Sequence, residues 1–119
     1  MKEAAVFLMR LMHARTDGHI MHLQTRSYAQ HMALGEFYEG IGELIDSFAE
    51  TYQGKHGLIE DYPDGYIAPG DNPMTYMAEL AQTVAALRKG LPDDSELQNI
   101  IDEIAALIAS TLYKLRFLK

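Results

Sequence analysis

Gly54-Lys-His-Gly-Leu-Ile-Glu-Asp-Tyr-Pro-Asp-Gly-Tyr-Ile-Ala-Pro-Gly-Asp-Asn-Pro73 is the stretch on which the fold turns. Gly54 and Gly57 are stop signals for a helix before it. Pro63-Asp-Gly65 and Pro69-Gly70 mark turns, and Asn72-Pro73 caps a new helix after it. About 18 residues therefore connect two helical segments, a length that is uncommon in a compact domain and needs a reason. Extended at roughly 3.3 Å per residue, the stretch reaches about 60 Å. That exceeds the length of a helix of about 25 residues, near 38 Å. Leu58, Ile59, Tyr62, Tyr66 and Ile67 would let it pack along the way.

On both sides of this connection the apolar residues recur at helical spacing, and no segment alternates like a strand. A first helix is predicted from about Lys2 to Gln24, with Val6, Met9, Met12, Ile20 and Leu23 near one face and a weak point at Asp17-Gly18. A second is predicted from about Ser27 to Gln53, its core stripe being Leu34, Phe37, Ile41, Leu44, Ile45, Phe48 and Tyr52. The third starts at Asn72-Pro73, carries Met74, Met77, Leu80, Val84 and Leu87, and stops at Gly90-Leu-Pro92. Asp94 and Ser95 announce the fourth, with Gln98 placed for a capping box. Its stripe is Leu97, Ile100, Ile101, Ile104, Leu107, Ile108, Leu112 and Leu115. Short links make helices one and two, and three and four, into antiparallel hairpins. Two hairpins joined by one long crossover between helices 2 and 3 form an all-α, ferritin-like four-helix bundle, a single domain over residues 1–119.

Composition excludes several function classes. No cysteine is present, so thiolate metal sites, disulfides and cysteine nucleophiles are ruled out. No run approaches the roughly 20 apolar residues of a membrane span, and the expectation is a cytoplasmic, unprocessed chain. The net charge of −7, with scattered Lys and Arg, argues against holding DNA by its phosphates. The densest basic cluster is Lys114, Arg116 and Lys119.

Helix two carries a second stripe, roughly 130° from its core stripe: His31, Gly35, Glu39, Gly42, Asp46 and Glu50. Each interior glycine costs about 1 kcal/mol relative to alanine, which is tolerated best where another backbone comes close. The stripe is therefore expected to be a helix-to-helix contact, most simply a two-fold dimer interface. Asp46 and Glu50 lie four apart and repel mildly, so burial between subunits would call for protons, arginines or a metal ion. His19 and His22, three apart at the end of helix one, project from overlapping faces. Imidazoles and carboxylates converging would suit a divalent transition ion such as iron, zinc or manganese.

The segment from His31 to Glu50 resembles the second helix of the mini-ferritins, the DNA-binding proteins from starved cells. That family has a histidine, an aspartate 15 residues later and a glutamate four beyond, which here are His31, Asp46 and Glu50. Phe37 and Ala49 also match in type, and the family's other histidine, 12 residues earlier, corresponds to His19. The resemblance implies a homo-oligomer, at least a dimer and up to a dodecameric shell. It also implies a ferroxidase site between two subunits, where iron is oxidised by peroxide or dioxygen. His19 and His31 of one chain would face Asp46 and Glu50 of its mate, with His22 and Glu39 as reserve ligands. Ile20 stands where the family has tryptophan, and Gly35 where it has a further aspartate. The ordinary ferritin site within one bundle needs Glu-x-x-His, which this sequence lacks. The competing reading is a metal-free bundle serving as a dimeric scaffold or interaction module.

Overall fold

A computed structural model describes residues 2–119, and its helices are α1 (Lys2–Gln24), α2 (Tyr28–His56), α3 (Pro73–Leu87) and α4 (Ser95–Phe117). Among the described residues there is no strand. A short 3-10 turn, Arg88–Gly90, follows α3. None of the helices is long and apolar enough to cross a membrane.

The caps expected from sequence largely form. Ser27 accepts the Gln30 N–H, and Asn72 accepts the Thr75 N–H with Pro73 in the first turn. α2 runs on through Gly54 and ends against Gly57, whose φ of 97° suits a residue without a β-carbon. The capping box at Ser95 does not form. Asp94 holds the N-cap position, and Gln98 instead donates to the Pro92 carbonyl and accepts from Arg88, fastening the α3–α4 turn.

The direction of each helix follows from which ends meet. The α1–α2 turn defines the upper end. Tyr76, in the first turn of α3, lies beside Arg10 and Asp17 in α1, so α3 starts toward the upper end and descends. At the lower end Lys55 and His56 of α2 bind Asp94 and Glu96 around the start of α4, which therefore ascends. Higher up, Lys114 pairs with Glu36. α1 then neighbours α2 and α3, α4 neighbours the same two, and every neighbouring pair is antiparallel, a favourable arrangement of helix dipoles. α2, at about 1.5 Å per residue over 29 residues, nearly matches the molecule's 43 Å long axis. Residues 57–72 therefore travel from the lower end back to the upper one.

The core is one cluster dominated by Phe7, Leu8, Leu11, Leu34, Phe37, Ile41, Phe48, Met77, Leu80, Leu97, Ile101, Ile104 and Ile108. Phe7 and Phe48 meet edge to face, with centroids 5.1 Å apart. The stripes read for α2 and α4 hold, with Leu44, Leu107 and Leu112 at their half-buried margins. α1 is turned from the expected face. Ala4, Phe7, Leu8, Leu11, Ala14 and Met21 are buried, while Met12 and Leu23 are exposed. The N-terminal half of α1 is apolar nearly all round, so periodicity there does not choose a face. Its small residues do, because they let α2 approach. Gly18 is the tightest point, where an added β-carbon would lie 2.9 Å from Phe37 Cδ2. No break occurs at Asp17-Gly18, since α1 is continuous. The crossover packs less than expected. Ile59 is buried and its N–H donates to Gln53, but Leu58 and Ile67 are exposed.

Candidate functional site

Three histidines meet where α1 turns into α2. The short turn folds His31 back over His22, and their rings stack with centroids 3.6 Å apart and planes 18° from parallel. Each ring also ties down the other's backbone. His22 Nδ1 lies 2.6 Å from the His31 carbonyl, and His31 Nδ1 lies 2.8 Å from the His22 carbonyl. A carbonyl only accepts, so each Nδ1 carries a proton and each neutral ring keeps its lone pair on Nε2. That is the tautomer of a ring positioned to use Nε2 toward a metal ion or a hydrogen-bond donor. His19 stacks on Tyr38 at 4.4 Å and sits 6.2 Å from His22. His19 is exposed, whereas His22 and His31 are half-buried.

The acidic half of the expected site lies elsewhere on the same helix. Asp46 and Glu50 are 15 and 19 residues beyond His31, about 22 and 28 Å along α2. Both are exposed. Glu39 is exposed between the two groups and lines a groove of about 640 Å³ between α1 and α2, together with Met12, Arg15, Glu43, Ile45 and Asp46. Within one chain, then, His19, His22 and His31 come together, but Asp46 and Glu50 do not join them. Among the described residues no group of three or more histidines, aspartates and glutamates is gathered tightly enough to hold a metal ion.

The two stripe glycines have partners inside the chain. A β-carbon at Gly35 would lie 3.2 Å from His22 Cε1, so the glycine leaves room for the stacked ring. At Gly42 it would lie 2.8 Å from Arg15 Nε. Arg15 crosses α2 there, its Nε donating to the Tyr38 carbonyl at 3.4 Å. Both stripe glycines are thus approached by side chains of α1 in the same chain, rather than by the backbone of another helix as expected. Gly40, on the other side of α2, faces Leu107 of α4, and an added β-carbon would come within 3.2 Å of it.

A second polar cluster, not anticipated from sequence, lies on the other side of α1. Asp17 is buried at 3% exposure and accepts the hydroxyls of Tyr66, from the crossover, and Tyr76, from α3. Arg10 donates to the Tyr76 hydroxyl at 3.0 Å, and His13 meets the Tyr66 ring edge-on. Loss of solvation, and then the bond to Asp17, pushes the Tyr66 phenol up to about 12 and the Tyr76 phenol up further. The sequence signal was the spacing of Arg10, His13 and Asp17, which puts three polar groups on one face of α1.

The signature of DUF5856, a family of unknown function, matches residues 22–115. The chain belongs to that family. The match takes in the His22–His31 stack, all of α2, the crossover and α3, and most of α4, leaving out Arg10, Asp17 and His19. Among curated proteins, the chain is 29% identical over 115 residues to the "Uncharacterized 14.6 kDa protein in mobD-ri intergenic region" of Enterobacteria phage T4. That alignment covers 95% of this chain and 88% of the phage protein, so the two are similar over nearly their whole lengths. No solved structure matches the chain.

Proposed function

We propose that this DUF5856 member is a ferritin-like bundle that pairs through α2 and handles iron, or another divalent transition ion, between subunits in the manner of a mini-ferritin. The observation that carries the reading is the second stripe of α2. Its histidine end and its carboxylate end lie on one unbroken helix, with Glu39, Asp46 and Glu50 exposed and His31, Gly35 and Gly42 half-buried in the single chain. His31 and the Asp46–Glu50 pair are symmetric about Glu39 and Gly40. A two-fold axis crossing α2 there lays the imidazoles of one subunit over the carboxylates of the other, twice per dimer. Arg15, lying over Gly42 in the same groove, would offset the repulsion between the two Glu39 side chains near the axis.

The donor set fits such an ion. The Nδ1 bonds leave Nε2 of His31 and His22 as neutral donors, and Asp46 and Glu50 supply negative charge. Parallel rings 3.6 Å apart do not aim both lone pairs at one ion, so His31 would act with His19 while His22 orients it. Bound iron supplies one-electron chemistry, Fe(II) being the substrate and peroxide or dioxygen the oxidant. Storage or peroxide detoxification follows from that activity.

The test joins assembly to metal. The parent should run as a dimer or larger by light scattering and take up Fe(II) saturably, oxidising it faster with peroxide than in buffer. Changing Asp46 and Glu50 together to alanine should abolish uptake and keep the helical signal. Gly42→Leu, whose longer side chain must displace Arg15 of the same chain and would project into the proposed two-fold contact, should weaken both the dimer and metal uptake while keeping the helical signal. A double alanine variant that takes up iron like the parent would refute the site. A parent that dimerises without binding metal leaves the scaffold reading, which the self-sufficient His22–His31 clamp favours.

A further inference from the structure

We infer that the pocket between α1, the start of α3 and the crossover binds a small oxyanion, a phosphate or carboxylate group, through Arg10 and His13. The pocket has a volume of about 270 Å³, with Arg10, His13, Asp17 and Tyr76 as walls and Gly65 and residues 67–69 as its rim. At about 30 Å³ per water, that is space for a ligand of several heavy atoms rather than for a lone solvent molecule.

The assignment follows from which polar groups are already engaged. Asp17, the acidic wall, uses its two carboxylate oxygens on Tyr66 and Tyr76. Tyr76 donates to Asp17 and accepts from Arg10, so its hydroxyl is engaged on both sides. Arg10 is different. Among the described residues its only hydrogen bond uses Nη1, and a guanidinium carries five N–H donors in a fixed fork. Its Cζ also lies over the Tyr76 ring, 5.4 Å from the ring centre. His13 makes a ring contact with Tyr66 but no hydrogen bond among the described residues. What remains unengaged is the Arg10 fork and the His13 imidazole; Asp17 keeps its negative charge, so an oxyanion would sit on the Arg10–His13 side of the pocket. A paired, planar set of donors of this kind recognises carboxylate and phosphate oxygens.

The crossover rim adds a consequence. Tyr66 is the residue that clasps this segment to α1, so a ligand beneath residues 65–69 would hold the crossover down. The pocket is on the other side of α1 from the α1–α2 groove, and the inference does not depend on the metal reading.

Inorganic phosphate and acetate are the probes, titrated separately into the full chain by calorimetry at low salt, with chloride as the ionic-strength control. Saturable binding is expected for the parent. Arg10→Gln should weaken it by at least about tenfold, the range for a lost charge-assisted bond, and His13→Gln should weaken it by less. Arg15→Gln, in the other groove, should keep the parent affinity. A tighter midpoint for phosphate assigns a phosphate ligand, and a tighter one for acetate a carboxylate. Should Arg10→Gln fail to fold, two readouts on the parent decide the matter. The His13 ring signals should shift with the calorimetric midpoint, and proteolysis within residues 60–70 should slow at saturation. Absence of saturable binding, equal affinity in Arg10→Gln, or an equal loss in Arg15→Gln overturns the inference.

Discussion

Replacing Asp17 by alanine removes the acceptor for two hydroxyls at once, and its cost can be worked from the two environments. Hydrogen bonds to a charged acceptor contribute about 1.5–3 kcal/mol each. Tyr66 is 43% exposed, so its freed hydroxyl can turn to water and recover much of that loss. Tyr76 is half-buried and is left with a donor, Arg10, on one side and no protein group to donate to, which costs about 1–3 kcal/mol more. Against this stands the relief of removing a buried carboxylate, an ion that is expensive to desolvate. The net expectation is a loss of about 3–4 kcal/mol, or a fall in Tm on the order of 10–15 °C for a chain of this size. Asp17→Asn keeps one carbonyl acceptor and should lose about half as much. Thermal and urea unfolding followed by circular dichroism measure all of this, with Tyr66→Phe expected to cost less than Tyr76→Phe. An Asp17→Ala protein within about 1 kcal/mol of the parent would show that the cluster does not hold the crossover, whatever its geometry.

The same cluster gives a pH dependence. Both phenols titrate above their unfolded value of about 10, so the stability of the clasp is fully present below that pH. It should be lost as pH rises through about 12, where Tyr66 ionises. Tyrosinate absorbance followed beside the helical signal checks this, and a single ordinary titration of every tyrosine with the helices intact would contradict it. Two glycines should respond to alanine with opposite signs. Gly18→Ala drives a β-carbon against the fully buried Phe37 and should cost about 1–3 kcal/mol, whereas Gly42→Ala meets only the movable Arg15 and should gain up to about 1 kcal/mol. Denaturant melts that rank them the other way would refute the packing account. Finally, with a net charge of −7, the protein should leave duplex DNA unretarded in a gel at about 150 mM salt. A shift that strengthens steeply on dilution would point to Lys114, Arg116 and Lys119.

What was legible in the sequence, and what was not, divides by the range of the interaction that decides it. α2 could be read because Leu34, Phe37, Ile41, Ile45, Phe48 and Tyr52 leave one face for the core and a different face for everything polar. α1 could not, because apolar residues surround its first half and the choice of Leu8 over Met9 for the core is made by tertiary packing, not by the helix itself. The histidine trio was half legible. His19 and His22 share a face by spacing, and the short turn brings His31 back, but the stack and its reciprocal bonds require the geometry of the turn. Asp17 was opaque for a deeper reason. An aspartate beside a glycine within a helix reads as a weak point, since burying it is unfavourable unless donors reach it. Its two donors come from residues 49 and 59 positions away, and no local pattern announces them. The crossover ties these facts together. Its length was visible and demanded a route along the bundle, but its apolar residues suggested that it would be held by hydrophobic packing. With Leu58 and Ile67 in solvent, it is held mainly by the buried Ile59, the Gln53 bond and the Tyr66 hydroxyl on Asp17, so a polar contact at long range replaces the apolar contact that the sequence advertised.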